Sequence, residues 1–348
     1  MKYVIYAGLL LLFSYCVTVK TSEPLPAEFH FSGLAQGTSY HITYFAGDSF
    51  IVTAQFDSIF NKIDSSLSIY KPYSLISRFN SSPGEIEMDV HLKTVVQKSL
   101  EIYKETRGIS DITVYPLVRA WGFGTERPPD LPDSVTIKNL MPCIGSDKIF
   151  IDHNLLRKTK SCIKIDVNGI AQGYTVDIIA DFLEKNGIQN YLVEVGGELR
   201  VKGHKQPSHT LFQVGIESPA ENNFDDPVIK NIMQFENGAV TTSGNYRKYI
   251  ERGGKIISHL MNPKTGYPVQ NEMISVTIFA NKAIIADGYD NALMGMGLEN
   301  SFSFLKKHRE MEAYIIYHGP NGKITDTATA GFYKMMVPPE SRLREPGR

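Results

Sequence analysis

The sequence predicts an α+β fold, in which strands and helices mix without the regular alternation of a doubly wound sheet. Three observations favour it: runs of alternating β-forming residues, separate stretches with apolar residues at helical spacing, and glycine-containing turns between them. The 348 residues, 42% hydrophobic and 21% charged, are enough for a substantial core and exclude wholesale disorder. A net charge of −1 disfavours nucleic acid as a partner.

The N-terminus resembles an export signal. Lys2 precedes an apolar run over residues 4–13, which is too short to span a bilayer but typical of a signal-peptide core. Cys16 follows it and resembles the lipid-attachment cysteine of bacterial lipoproteins. We expect a signal peptide over residues 1–16, a tether over 17–28 and one catalytic domain over 29–340. Simple cleavage and an uncleaved anchor are the alternatives to lipidation, and all three place the domain outside the cytoplasm. Lipidation at Cys16 would hold it on the periplasmic face of a bacterial membrane.

Two further cysteines, Cys143 and Cys162, flank a predicted hairpin that turns near Asp152-His153-Asn154. An oxidising compartment would allow them to form a disulfide. The turn does not place them directly opposite each other, so the pairing stays open. Two isolated cysteines lack the spacing of a zinc site.

The first half of the chain begins with "FHFSGLAQGTSYHITYF", which predicts two strands around Gly37-Thr38. Helical spacing of apolar residues in "AQFDSIFNKIDSSLSIY" predicts a helix that packs on the core. The stretch "LKTVVQKSLEIYKETRG" predicts a second helix, ended by Gly108.

In the second half, "CIKIDVNGIAQGYTVDIIADFLEKNGI" predicts a strand, a glycine turn and a helix that ends at Gly187. The inner stripe of this helix is Val176, Ile179, Ala180 and Leu183. The stretch "NYLVEVGGELRVKG" predicts strands broken at Gly196-Gly197. The loop "HLMNPKTGYPV" precedes the predicted strand "ISVTIFA" and a helix from about Ala283.

Two of these junctions carry residues suited to phosphate chemistry. A helix that begins after the Asp166 turn presents backbone N–H groups to an anion, although a purely structural turn explains the same pattern. Asp287, Asp290 and Asn291 fall on one helix face. Their oxygens suit Mg²⁺, and the alternative is a solvated polar face.

Three other positions are weaker candidates. Asp111 has the chemistry to accept hydrogen bonds from an adenine or ribose, or to form an Asx turn. Tyr70 precedes a Lys-Pro turn and could stack on a flat ring, or serve the core. Ser243-Gly244 is predicted to lie in a turn, without the context of a serine nucleophile.

The motifs together resemble the ApbE family of FAD:protein FMN transferases, which attach flavin to periplasmic proteins. The matching stretches are "QGTSYHI", "LSIYKPYSLISRFN", "GISDITVYPLVRAWGFG", "KIDVNGIAQGYTVD", "YLVEVGGELRVKG", "TTSGNYRKY", "SHLMNPKTGYPV", "ISVTIFA" and "ADGYDNALMGMG", in the family's order from about residue 34 to 335. The resemblance implies a two-lobed, T-fold-like architecture with mixed or antiparallel sheets, packed helices and a central cleft for FAD and Mg²⁺.

The resemblance also implies roles for individual residues. The flavin-binding positions are Gln36, Tyr70, Ile109, Ser110, Asp111, Asp166, Gln172 and Met261. The metal positions are Gly169 through its carbonyl, Asp287, Asp290 and Asn291, and the catalytic residue is His259. The chain departs from the family's usual residues at Gln36 (Met), Gln172 (Lys or Glu), Asn262 (Asp) and Asn291 (Thr).

The expected reaction transfers FMN from FAD to a Ser or Thr hydroxyl of an acceptor protein and releases AMP, with Mg²⁺ assistance. An FAD pyrophosphatase that uses water and a non-catalytic FAD-binding lipoprotein are the alternatives. The expected partners are FAD, an exported or membrane-bound flavoprotein subunit, and a membrane through the lipid anchor.

Overall fold

A computed structural model describes residues 26–48, 51–124, 128–218, 228–246, 249–252 and 255–338. The predicted signal peptide and Cys16 lie outside the described residues. The first described strand begins at Ala27, within the predicted tether. No helix in the described part of the chain is both long enough and apolar enough to cross a membrane.

The strands are β1 (Ala27–Ala35), β2 (Thr38–Ala46), β3 (Glu85–Glu87), β4 (Ile149–Asp152), β5 (Leu155–Lys158), β6 (Asn190–Val195), β7 (Glu198–Lys202), β8 (Phe212–Ser218), β9 (Val228–Phe235), β10 (Asn237–Gly244), β11 (Tyr249–Arg252), β12 (Lys255–Ser258), β13 (Met273–Ala280), β14 (Glu312–His318) and β15 (Ile324–Ala328). The helices are α1 (Thr53–Leu67), α2 (Leu75–Ser81), α3 (Val90–Glu105), α4 (Tyr115–Ala120), α5 (Ser134–Leu140), α6 (Asn168–Lys185), α7 (Ala283–Met296), α8 (Leu298–Leu305) and α9 (Ala330–Met335). The α+β prediction is confirmed.

An eight-stranded antiparallel sheet is the frame of the molecule, with strand order β1-β2-β6-β7-β10-β13-β14-β15. Smaller sheets, β3-β5-β4, β8-β9 and β11-β12, lie outside it. Strands β2 and β6 pair directly although residues 47–189 separate them. Residues 47–189, which carry many of the predicted site residues, therefore form one long excursion between two neighbouring strands of the sheet.

Both faces of the central sheet are covered, which explains the nearly continuous apolar run in β13. On one face, Val276 and Ile278 pack in the core cluster that includes residues of α3, α6 and α7. On the other face, Ile274 packs with residues of β8, β9 and α9. The predicted inner stripe of α6 is fully buried against the sheet.

Several glycine turns form at or next to their predicted positions, although the β1–β2 turn lies one residue before the predicted Gly37-Thr38. The β1–β2 turn uses Gln36 and Gly37, both with positive φ, as a two-residue hairpin turn demands. Gly187 follows the last residues of α6 with φ of +81°, and Ile188 donates its N–H to the Leu183 carbonyl. The break between β6 and β7 falls at Gly196-Gly197, as predicted.

Two local predictions were wrong. Residues 163–167 were expected to form a strand but have no strand partner. The side chain of Asn80 takes that place: its Oδ1 accepts from the Ile165 N–H at 2.7 Å and its Nδ2 donates to the Ile165 carbonyl at 2.9 Å. Ser243-Gly244 was expected in a turn but ends β10, where both residues pair with β13.

Cys143 and Cys162 form a disulfide with a Cα–Cα distance of 5.6 Å. The hairpin β4–β5 lies between them and turns at His153-Asn154, as the sequence predicts. The bridge joins the chain entering the hairpin to the chain leaving it. The pairing that the sequence left open is therefore present in the fold.

Candidate active site

A cavity of about 630 Å³ opens between the start of α6, helix α7, the stretch around residues 109–118 and the loop after β12. Every predicted site residue except Gln36 lines it. Those residues are Tyr70, Ile109, Ser110, Asp111, Asp166, Gly169, Gln172, His259, Met261, Asp287, Asp290 and Asn291. Positions more than 200 residues apart in the chain thus meet at one cavity.

Gly173 allows α6 and α7 to approach closely. A Cβ at this position would lie 2.4 Å from the Ala283 carbonyl oxygen and 2.6 Å from the Asp287 Cβ. The Gly173 N–H donates to Asp287 Oδ2 at 2.8 Å. Asp287 is therefore oriented by the backbone of the neighbouring helix as well as by its own.

Asp177 on α6 fixes the start of α7. Its carboxylate accepts the N–H groups of Ala283 at 3.1 Å and Ile284 at 3.0 Å, two of the groups that a helix start leaves unpaired. Arg200 of β7 donates to the same carboxylate at 3.0 Å. Burial raises the pKa of Asp177, and the backbone donors and Arg200 offset part of that rise.

A second buried carboxylate, Asp290, lies one turn along α7 from Asp287. Its Oδ2 accepts from the Thr241 hydroxyl at 3.0 Å, while its Oδ1 is buried without a hydrogen-bond partner among the described residues. Burial raises the pKa of Asp290 well above its ordinary value, and the negative charges of Asp287 and Glu198 raise it further. The cavity floor therefore brings acidic side chains close together.

Asn291 sits where α7 meets the start of α6. Its Oδ1 accepts from the Ser243 hydroxyl at 2.7 Å. A Cβ on Gly169 would lie 2.7 Å from Asn291 Nδ2, so only glycine leaves room for this amide. Gly169 has φ of −86° and ψ of 21°, which interrupts the first turn of α6.

The loop over residues 259–269 closes one side of the cavity. His259 contacts the Phe123 ring edge to face, with centroids 6.2 Å apart. Asn262 Oδ1 accepts from the Lys264 N–H at 2.9 Å, and the Asn262 carbonyl accepts from the Gly266 N–H at 2.8 Å. The Asn262 side chain thus makes an Asx turn, which shapes the loop that carries His259 and Met261.

The only tryptophan supports the same loop from outside. Trp121 donates its indole N–H to the Gly266 carbonyl at 2.9 Å. Gly266 has φ of +80°, and a Cβ there would lie 2.5 Å from Ile137. The loop is therefore held by its own turn and by its packing on α4 and α5.

Asp111 lies at the wall with its carboxylate engaged by the protein itself. Oδ1 accepts from the Thr113 N–H, from the Thr113 hydroxyl and from the Ser146 hydroxyl at 2.8, 2.6 and 2.6 Å. Oδ2 accepts from the Ser146 N–H at 3.2 Å. Burial raises the pKa of Asp111, and these donors counteract the rise. The Asx turn considered from the sequence is present.

The mouth of the cavity carries Tyr70, whose side chain is 59% exposed. Burial of the remainder raises its pKa, as does the charge of Asp166, while a hydrogen bond with Asn168 lowers it. Asp166 Oδ1 accepts from the Asn168 N–H at 2.8 Å, directly before α6. The predicted phosphate-suited helix start thus faces the cavity.

Gln36 lies outside the cavity lining, at the β1–β2 turn, where it hydrogen-bonds to Asp64. The same hairpin reaches the cavity indirectly. A Cβ on Gly196, which lines the cavity, would lie 2.8 Å from Thr38 and 2.3 Å from Gln172 Nε2.

Sequence reasoning missed several residues that shape the site. Glu198 directly follows Gly196-Gly197, and an acidic residue at the start of a predicted strand is a signal that could have identified it. Asp177 is the one acid on the otherwise apolar inner side of α6. Ser146 carries no sequence signal, because its role depends on a contact with a residue 35 positions away.

The donors for a metal are of mixed chemical type. Within the described ranges, no group of three His, Cys, Asp or Glu side chains is arranged to hold a metal ion. The predicted set instead combines carboxylates, an amide and a backbone carbonyl. Such a set suits a hard cation that retains water or phosphate ligands.

Comparison with known proteins gives a consistent result. The sequence model of the ApbE family matches residues 36–315. A FAD:protein FMN transferase of Haemophilus influenzae is 33% identical over 312 residues, 86% of this chain and 89% of that protein. The protein of the same name from Vibrio cholerae is 35% identical over 286 residues, 80% and 84% of the two chains.

Solved structures agree with the sequence comparisons. The flavin transferase ApbE of Vibrio cholerae superposes with a TM-score of 0.80 at 30% identity, covering 89% of this chain and 99% of the other. The apo form of the Pseudomonas stutzeri flavinyl transferase ApbE also gives 0.80 at 29% identity, covering 89% and 97%.

Proposed function

Since this chain belongs to the ApbE family, we propose that it transfers FMN from FAD to a Ser or Thr hydroxyl of an acceptor protein. The acceptor oxygen attacks the FMN-side phosphorus of the pyrophosphate, the bond from that phosphorus to the AMP oxygen breaks, and AMP leaves. The observation that carries the proposal is the single cavity in which a helix start, a loop histidine and buried carboxylates meet.

His259 is the residue suited to take the proton of the acceptor hydroxyl. Imidazole titrates near neutral pH, which suits a general base. His259 belongs to a loop that is stabilised by the Asn262 turn and by the hydrogen bond from Trp121. Phosphoryl transfer depends mainly on positioning, so a loop held at several points suits this role.

The beginning of α6 is suited to the FAD phosphates. Its helix dipole favours an anion, although the Asn168 N–H is already bonded to Asp166 Oδ1. Asn168 and Gly169 line the cavity at this point. Tyr70 at the mouth offers an aromatic face for the flavin ring, which favours retention of FAD until an acceptor arrives.

We propose that Mg²⁺ binds at Asp287, Asn291 and the Gly169 carbonyl, with Asp290 close by. When bound, it would neutralise charge on the phosphates and on the departing AMP oxygen. The residues fit a cation: Asp290 Oδ1 is buried without a partner beside the Asp287 carboxylate, an arrangement that a positive charge would relieve.

The Asn291 amide is compatible with that role. The Ser243 hydroxyl now donates to Asn291 Oδ1. A hydroxyl also accepts hydrogen bonds, so Ser243 can hold the amide in either orientation. Turning the amide would direct its oxygen away from Ser243 without losing the contact.

The location of the enzyme is also part of the proposal. Export and lipid attachment at Cys16 would place it on the periplasmic face of a membrane, near exported or membrane-bound flavoprotein acceptors. The apolar run of residues 4–13 supports this. The Cys143–Cys162 disulfide is in keeping with an oxidising compartment.

Mass spectrometry of an acceptor flavoprotein co-expressed with this chain tests the function. The expected result is an FMN-sized mass increase on one Ser or Thr, lost with Asp287→Ala and retained with Asp326→Ala, a control carboxylate on strand β15. Rapid release of free FMN without acceptor would assign a pyrophosphatase instead. FAD that co-purifies and is never turned over would assign a binding protein.

A further inference from the structure

Three short segments behind and along the cavity wall are joined pairwise. The first wall segment, residues 109–114, and the second wall segment, residues 162–167, both contribute to the cavity lining. A third segment, residues 143–147, lies behind them and lines no part of the cavity; we call it the strut. Each pair among the three shares at least one bond, so they form a closed triangle.

The two wall segments meet through their backbones. The Asp166 N–H donates to the Ile112 carbonyl at 2.7 Å. This hydrogen bond joins the two wall segments directly. It places the Asp166 turn, and with it the start of α6, against the segment that holds Ile109 and Ser110.

The strut meets the first wall segment through buried polar groups. Ser146 donates its hydroxyl to Asp111 Oδ1 at 2.6 Å and its N–H to Oδ2 at 3.2 Å. The Gly145 N–H donates to the Thr113 hydroxyl at 2.7 Å, and that hydroxyl donates to Asp111 Oδ1. Ser146 is 1% exposed and Asp111 8%, so water cannot readily replace these donors.

The third side of the triangle is covalent. The disulfide joins Cys143, at the beginning of the strut, to Cys162, at the beginning of the second wall segment. Without it, the strut and that segment would still be joined through hairpin β4–β5 and through the first wall segment, but by no covalent cross-link.

We propose that Ser146 is a positioning residue for the FAD cavity and that the Cys143–Cys162 disulfide keeps it in place. The inference rests on the proposed function only in that FAD is the occupant. Ser146 acts through Asp111: its donors stabilise the buried carboxylate and so fix the first wall segment against the second. His259 and α7 lie outside the triangle, so the affinity for FAD depends on it more than the chemical step does.

Serine substitutions with a matched control test the first part of the proposal, the role of Ser146. Ser146→Ala should raise the Kd for FAD, measured by flavin fluorescence titration, by about three- to tenfold, which is part of the free energy of one buried hydrogen bond to a charge. Ser66 is the control, because it is equally buried and donates to the Asp89 carboxylate at 2.7 Å, away from the cavity. Ser66→Ala should leave the Kd within about twofold.

Steady-state kinetics separate positioning from general destabilisation. In Ser146→Ala the KM for FAD should rise while kcat at saturating FAD changes less. Equal shifts in both serine variants would overturn the proposal, as would a fall in kcat with KM unchanged.

Reduction of the full-length enzyme tests the second half and does not depend on any variant folding. Intact mass should show a disulfide in the untreated enzyme, and reductant should raise the Kd for FAD about threefold or more. The Cys143→Ser/Cys162→Ser variant should show the raised Kd with and without reductant. Two free thiols in the untreated enzyme, or an unchanged Kd on reduction, would overturn the proposal. A wild-type enzyme that binds no FAD at all would instead overturn the proposed function.

Discussion

Replacing Gly173 with alanine tests whether the approach of α6 to α7 sets the geometry of the site. The added Cβ would lie 2.4 Å from the Ala283 carbonyl oxygen, 2.7 Å from the Ala283 carbonyl carbon and 2.6 Å from the Asp287 Cβ. Ordinary contact begins at 3.4 Å. The two helices must therefore separate by about 1 Å, because the obstructing atoms are backbone and a Cβ that no rotamer change can remove.

The expected magnitudes follow from that displacement. Overpacking of this kind costs about 1–3 kcal/mol, and the better helix propensity of alanine returns up to about 1 kcal/mol. A net loss of about 1–2 kcal/mol lowers the Tm of a chain of this size by about 1–3 °C. Displacing Asp287 by about 1 Å should cost about 100-fold in the rate of FMN transfer.

Differential scanning fluorimetry and the rate of FMN incorporation into an acceptor protein measure the two effects. Gly84→Ala is the matched control, because a Cβ at Gly84 meets nothing within 4 Å and its backbone is not left-handed. That variant should match the wild type in both assays. A transfer rate of Gly173→Ala within about twofold of that of Gly84→Ala would show that the close approach of α6 to α7 does not position Asp287.

The remaining predictions concern the base, the metal and the acid limit of stability. His259→Ala should abolish FMN transfer while FAD titration shows unchanged binding; loss of both would assign His259 to structure. Chelation of Mg²⁺ with EDTA should stop FMN transfer and leave FAD bound. Asp290→Asn should weaken Mg²⁺ binding, measured by calorimetry. Tighter Mg²⁺ binding in that variant would refute the role of the unpartnered Asp290 oxygen. Burial raises the pKa of Asp181, but Lys282 and Arg200 outweigh that effect and hold the pKa below 3.8. The Asp181 carboxylate therefore stabilises the fold above pH 3.8, and this contribution is lost as the pH falls further. Asp181→Asn should therefore have a lower Tm than the wild type at pH 6, and the difference should be smaller at pH 3; a constant difference would contradict the sign.

Local signals predicted much of the secondary structure because local chemistry determines it. The Gln36-Gly37 turn demands positive φ at both positions, and Gly187 ends α6 by the same freedom. The apolar residues on the inner side of α6 are buried, as their spacing predicts. By contrast, the order of strands in the large sheet depends on pairings such as β2 with β6, which no local pattern encodes.

The errors have the same origin. Residues 163–167 look like a strand, since they are apolar and β-branched, but the partner of Ile165 is a side chain 85 positions earlier. Ser243 precedes a glycine and looks like a turn, yet β13 arrives beside it and extends the strand.

Most of the candidate site could be predicted only from the combination of motifs. Asp287 and Asn291 share a helix face by spacing alone, and the structure places both at the cavity. The strut had no such signal, because Ser146 and Asp111 meet through tertiary contacts. Gln36 matched a motif but lies at a turn outside the lining, so its position in the motif did not determine its place in the fold.

The dispersal of the cavity lining along the chain has a consequence for how the protein is made. Helix α7, which carries Asp287, follows nearly all of the other lining residues in the chain. During synthesis from the N-terminus, a chain that has not yet produced α7 has a cavity without a floor. The growing chain therefore cannot form the complete cavity, and FAD can bind to it only after α7 has been made and packed.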